Sequence, residues 1–141
     1  MKVYGFCDDK CRMEVIPKDD TGWINAEQYV NTAGGITKPV DFESEGLLNV
    51  QIRKINNVAY IRGVLSGVDS AEKTLMSLPD AYKPTASHYY FGRVTQMDGV
   101  VRIALMKVNR SGKVVVIKHL DDKGFDADLN NYFIETSYVI D

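Results

Sequence analysis

Apolar and polar residues alternate along much of this chain with the two-residue period of a pleated strand. The most regular stretch is VQIRKINNVAYIRGVLSG, residues 50–67. Two alternating runs flank Asn56-Asn57, which predicts a β-hairpin closed by a tight turn. In the first run Leu48, Val50 and Ile52 share one face, and Gln51 and Arg53 share the other. In the second, Ala59, Ile61, Gly63 and Leu65 alternate with Tyr60, Arg62 and Val64. The aliphatic face is expected in the core. Gly63, inside a strand, marks the close approach of another backbone or a bulge.

The same punctuation continues. KVYGFC and CRMEVI flank Asp8-Asp9-Lys10 and predict a short N-terminal hairpin. Pro17 and the polar PKDDTG place a boundary after it, giving residues 1–20 as one element and 21–141 as the main body. GWINAEQYVNTAGGITKPVDFESEG is irregular, and NAEQYV is too short for a regular helix. Later β-type runs are KTLMSL, ASHYYFGRVTQ, VVRIALMKV, KVVVIKHL and YFIETSYVI. Turns are expected at Asp98-Gly99 and at Asn109-Arg110-Ser111-Gly112, and a polar loop at DDKGFDADLNN. This spacing predicts an all-β fold, an antiparallel sandwich or barrel preceded by the hairpin. VVRIALMKV sets Val101, Ile103 and Leu105 against Arg102, Ala104 and Met106. Both faces are partly apolar, so one is expected to pack inward and the other to meet a subunit.

Composition narrows the functions open to such a fold. With 141 residues, 45% hydrophobic and 26% charged, the chain can bury a real core. A net charge of -2 argues against a dedicated nucleic-acid binder. No signal peptide and no run long enough to span a bilayer is visible, so synthesis is expected in the cytoplasm without membrane insertion. Cys7 and Cys11 alone make neither a disulfide framework nor a zinc site, and read as reduced thiols beside a turn. No metal or other cofactor is expected.

Catalytic patterns are missing too. No nucleophile elbow, phosphate loop, zinc-protease motif or dinucleotide fingerprint is present. Ser87 and His88 are adjacent in a strand and point to opposite faces. His119 has no nucleophile or orienting partner in its vicinity of sequence. Asp121, Asp122, Asp126 and Asp128 match a calcium loop only loosely and read as a solvated acidic loop. Tyr82, Tyr89, Tyr90, Phe91, Tyr132, Phe133 and Tyr138 gather in the second half. Such rings most often fill a core, but at a sheet face or tip they stack on sugar rings while acids bond the hydroxyls. Tyr89 and Tyr90 with Asp121, Asp122 and Asp126 are therefore the candidate ligand set. Trp23, Tyr60, Arg62, Arg102 and Met106 are the residues expected at a subunit seam.

Four stretches carry a family likeness: VQIRKINNVAYIRGVLSG, TLMSLPDAYKPTASHYYFG, VVRIALMKVNRSGKVVV and the closing NYFIETSYVI. The chain resembles the C-terminal head domain of phage tail-fibre and baseplate receptor-binding proteins. The matching positions include Arg53, Lys54, Val58, Ile61, Arg62, Gly63, Leu75, Leu78, Pro79, Tyr82, Pro84, Ile103, Gly112 and Val114. LPDAYKP is the most distinctive element, with Asp80-Ala81 standing where a glycine is common before the tyrosine. Its two prolines make a rigid corner, over which Tyr82 is expected to lay its ring and bond its hydroxyl to backbone. The opening MKVYGFCDDKCRMEVIPKDD resembles the start of short phage structural proteins. The resemblance implies an antiparallel β-sandwich, jelly-roll-like, and a homotrimeric virion protein of the tail tip; with the catalytic patterns missing, no enzymatic activity is expected. Residues 1–20 would serve attachment or trimerisation. Its partners would be its own copies, other tail or baseplate proteins and a host-surface carbohydrate, unless it is purely structural. A free-standing carbohydrate-binding module or lectin is the alternative.

Overall fold

A computed structural model of the chain describes residues 2–7, 13–17, 19–96 and 101–140, the first two segments as backbone. Strands β1 (Lys2–Cys7) and β2 (Met13–Pro17) pair antiparallel as a two-stranded sheet of their own. The turn expected at Asp8-Asp9-Lys10, and with it Cys11, lies outside the described residues. The main sheet has eight strands. They are β3 (Ile24–Asn25), β4 (Gln51–Ile55), β5 (Val58–Leu65), β6 (Lys73–Ser77), β7 (His88–Gln96), β8 (Val101–Val108), β9 (Lys113–His119) and β10 (Asn130–Val139). Their order in space is β3-β4-β5-β10-β7-β8-β9-β6, every neighbouring pair antiparallel. Among the described residues the remaining regular structure is three short 3₁₀ turns, the first of them Glu27–Tyr29. Among the described residues no helix is long and apolar enough to cross a membrane.

The β4–β5 hairpin forms where the alternation placed it, with Ile55 opposite Val58. Asn56 takes φ +52°, a left-handed conformation that asparagine tolerates. Its side-chain Oδ1 accepts from the Asp19 N–H at 3.2 Å, tying the turn to the incoming chain. Val50, Ile52, Ala59, Ile61 and Leu65 are buried as expected, whereas Leu48 precedes the strand and is exposed. Gly63 does sit where two backbones meet. At φ +142°, a Cβ there would lie 2.5 Å from Val50 Cα.

Strand β10 joins the two halves of the sheet. It pairs with β5 over eight positions, from Tyr132↔Leu65 to Val139↔Val58. With β7 it pairs over only three, from Asn130↔Gln96 to Tyr132↔Val94. Below that joint the inner faces of β7 and β10 are bridged by side chains, with His88 Nε2 2.8 Å from Thr136 Oγ1. Tyr90 and Tyr138 lie against the same imidazole, at ring separations of 5.8 and 5.7 Å. At the outer edges Val30 bridges to Met76, and Asn31 donates from N and Nδ2 to the carbonyls of Leu75 and Thr74, both at 2.9 Å. The sheet therefore curls until its ends meet. One core cluster takes residues from both halves, including Ile52, Ile61, Ile134, Met76, Met106 and Val116.

The all-β antiparallel expectation holds. The pairing describes one strongly curled sheet, and it does not show the two-layer, jelly-roll-like division. Alternation along a strand says which side is covered, and a curled sheet covers its concave side as a sandwich covers its inner one.

The LPDAYKP corner is a 3₁₀ turn, Asp80–Tyr82, with Tyr82 buried. Leu78 N donates to the Gly112 carbonyl at 2.9 Å, so the corner stacks on the β8–β9 turn. That turn is capped by Asn109, whose Oδ1 accepts from the N–H groups of Ser111 and Lys113. The hydroxyl-to-backbone bond expected of Tyr82 is made by Tyr138, whose hydroxyl donates to the Tyr82 carbonyl at 2.6 Å. The turn expected at Asp98-Gly99 lies outside the described residues, but the strands it would connect pair from His88↔Val108 to Thr95↔Val101.

Candidate binding face

The convex side of β4, β5, β10, β7 and β8 carries the chemistry that the core leaves over. It begins at Asp20, whose carboxylate takes a two-pronged bond from Arg53: Nε to Oδ1 at 2.9 Å and Nη2 to Oδ2 at 2.6 Å. The Arg53 guanidinium holds the Asp20 carboxyl far below its usual range, helped by the Gly22 N–H. Thr21 N donates to the Lys54 carbonyl, and Lys54 N donates to Thr21 Oγ1, each at 3.0 Å. Residues 19–25 are thereby sewn to the edge of β4, and Trp23 is laid across the sheet.

Arg62 stacks on that indole, its guanidinium carbon 3.7 Å from the ring centroid. Its Nε donates to Gln51 Oε1 at 2.9 Å, across the ladder in which Gln51 faces Arg62. On the other side Arg62 is registered with Glu135 of β10, and Tyr60 with Ser137. Trp23, Tyr60, Arg62, Glu135 and Ser137 line an open hollow of about 360 Å³. Three of the residues expected at a subunit seam, Trp23, Tyr60 and Arg62, thus come together at one concavity.

Beyond Glu135 the face becomes apolar. Arg93 lies 4.2 Å from the ring centroid of Phe133. Phe91, Arg93, Phe133 and Glu135 line a second hollow of about 200 Å³, which shares Glu135 with the first. Tyr89, Phe91, Val101 and Ile103 are each half or more exposed. Register places Phe91 opposite Leu105 and Arg93 opposite Ile103, so these side chains form one contiguous strip.

The other expected seam residues are not on this face. Met106 is fully buried in the core. Arg102 shares its inward side, with Nε 3.3 Å from Asp121 Oδ2. The two faces of β8 are thus the reverse of the expectation: Val101, Ile103 and Leu105 point outward. Alternation is nearly symmetric there, and Asp121, which lets a cation turn inward, comes from another element. Phe91, three residues after His88 in the adjoining strand, is exposed on this face, which the sequence pattern alone does not single out.

The candidate ligand set is also divided. Tyr89 is exposed, while Tyr90 faces inward with Gly92 and Val94, its hydroxyl buried without a partner. Desolvation raises the Tyr90 phenol strongly. Tyr89 is registered with Lys107, whereas Asp121 sits by Arg102. Five residues along β8 separate these levels by about 17 Å. Asp121 and Asp126 accept from the N–H groups of Lys123 and Asp128 in local turns. Asp121 is held below its usual range mainly by that Lys123 N–H, with the Arg102 guanidinium adding to it. Asp122 is exposed, and no three His, Cys, Asp or Glu among the described residues converge as metal ligands.

His119 has a partner that its sequence context does not reveal. Nδ1 lies 3.1 Å from the Lys123 carbonyl, so it carries the proton, and Nε2 accepts from the Tyr132 hydroxyl at 2.7 Å. The imidazole is 1% exposed, with the Phe125 ring tilted against it at 4.4 Å between ring centres. A base so enclosed cannot meet a substrate, and the pair fastens the 121–129 loop to β10.

What these elements define is a curled antiparallel β domain with an aromatic and charged convex face. No protein-family model and no curated protein matches the chain. Among solved structures it is similar to the receptor-binding protein (gp15) of Listeria phage PSA, with a TM-score of 0.56 and 13% identity. The match covers 88% of this chain and 67% of that one. The likeness is one of fold, and it meets the resemblance read from LPDAYKP and its flanking strands.

Proposed function

We propose that this chain is a virion protein of a phage or prophage tail tip or baseplate, a homotrimer that binds host-surface carbohydrate or builds the tip. The observation that carries the reading is the fold shared with a phage receptor-binding protein over 88% of the chain. The convex face supports it: the exposed strip of Phe91, Val101 and Ile103 is the surface that identical copies would cover. The Trp23 hollow beside it is the site for a glycan. The β1–β2 hairpin is the element for attachment to the tail or for trimerisation, and residues 21–141 are the binding body. Its role is adhesion and assembly, in contact with neighbouring tail proteins.

Size-exclusion chromatography with light scattering tests this at micromolar protomer. A trimer is expected, and Phe91→Glu combined with Ile103→Glu should yield folded monomers. A wild-type chain that stays monomeric would overturn the trimeric tail reading. It would favour a free-standing carbohydrate-binding module, which needs the hollow but no seam.

A further inference from the structure

We propose that the hollow beside Trp23 recognises an oxyanion carried on a hydroxylated ligand, an acidic sugar or a sugar phosphate, with Arg62 as its anion-binding residue. The inference rests on the adhesion reading only for where such a ligand would come from. Its grounds are the different fates of two neighbouring arginines. Arg53 is neutralised by the two-pronged bond to Asp20. Among the described residues Arg62 has no carboxylate within salt-bridge distance, and its one side-chain hydrogen-bond partner is the neutral Gln51. Its plane is fixed by the indole at 3.7 Å and its Nε by Gln51, leaving the terminal Nη amines for the hollow.

A guanidinium held in this way has already lost the rotamer freedom that a flexible arginine would lose on binding. It offers parallel N–H donors, the geometry that matches a carboxylate or a phosphate. Glu135, registered across from Arg62, forms no ion pair with it among the described residues. Its carboxylate is an acceptor for hydroxyls, as Ser137 and Tyr60 also are. Glu135 would repel a bare anion, so the hollow selects a ligand bearing the anion and the hydroxyls together.

The chain has a single tryptophan, and it lies in the hollow, so intrinsic fluorescence reports on occupancy directly. The full chain is titrated with glucose, inorganic phosphate, glucuronate and glucose 6-phosphate, and the fits are repeated by calorimetry. Glucuronate or glucose 6-phosphate should bind at least about tenfold tighter than glucose, and whichever is preferred separates carboxylate from phosphate recognition. Arg62→Gln and Arg62→Lys should each lower that affinity about tenfold or more, because a lysine cannot supply the planar fork. Glu135→Gln should strengthen binding of inorganic phosphate. Lys118→Gln, on the exposed side of β9 and outside both hollows, should leave the titration unchanged. Equal binding of glucose and the acidic sugars, no response to any probe, or an indifferent Arg62→Gln would overturn the inference. Retention on a panel of purified bacterial cell walls separates the two readings. If wild type and Arg62→Gln are retained alike, adhesion stands and the anion site falls. If no wall retains wild type while an acidic probe binds through Arg62, the anion site stands and adhesion falls.

Discussion

Gly63→Ala tests the packing that holds the convex face in place. Gly63 is registered with Ile134 of β10 and has φ +142°. That conformation is almost confined to glycine, and a side chain there costs about 1–3 kcal/mol. The new methyl would also lie 2.5 Å from Cα, 2.7 Å from Cγ1 and 2.8 Å from N of Val50. Overpacking of this kind typically costs about 1–3 kcal/mol. Two of the three contacts are backbone atoms, and Val50 is itself fully buried, so no rotamer change relieves them. The combined loss is expected at about 4 kcal/mol, a large share of the ~5–15 kcal/mol that usually holds a domain together. Gly22→Ala is the control. Gly22 has φ +65°, and a methyl added there would meet nothing within 4 Å, so only the conformational cost of about 1–2 kcal/mol applies. Urea unfolding followed by circular dichroism at one fixed protomer concentration gives both values, with the slope expected unchanged. A Gly63→Ala loss under about 1 kcal/mol, or one no greater than that of Gly22→Ala, would refute the close-approach argument.

Two further outcomes follow from the wedge between β7 and β10. Tyr90→Phe removes a buried hydroxyl with no partner, so stability should stay level or rise by about 1 kcal/mol, and a clear loss in urea melts would contradict this. Burial holds the His88 imidazole below its ordinary value of 6.5. The unfolded chain therefore binds a proton first, and stability should fall as pH drops below 6.5, a slope that His88→Gln should flatten in melts at successive pH values.

The strands, the Asn56-Asn57 turn, the Asn109–Gly112 turn and the meaning of Gly63 are legible in the sequence because each rests on local chemistry. The place of β10 is not. Nothing in NYFIETSYVI says that it pairs with β5 on one side and β7 on the other, since both pairings reach across many residues. The reversal of β8 has the same origin. Arg102 turns inward because Asp121, beyond another strand, comes to meet it. Half of the candidate face can be read in advance: Trp23, Tyr60 and Arg62 stand out as surface residues, but Glu135 reaches them only through the β5–β10 register. Tyr90 turns on a single choice of strand parity, which the burial of Gly92 and Val94 decides.

The central position of β10 also sets the order of events in folding. β5 and β7 leave the ribosome well before residues 130–139, and until those arrive each waits with an unsatisfied edge. Closure is consequently a late, long-range step of the kind that slows folding and exposes a nascent chain to mispairing with its neighbours. Clipping the chain ahead of Asn130 would leave two half-sheets with open sides rather than a smaller stable protein.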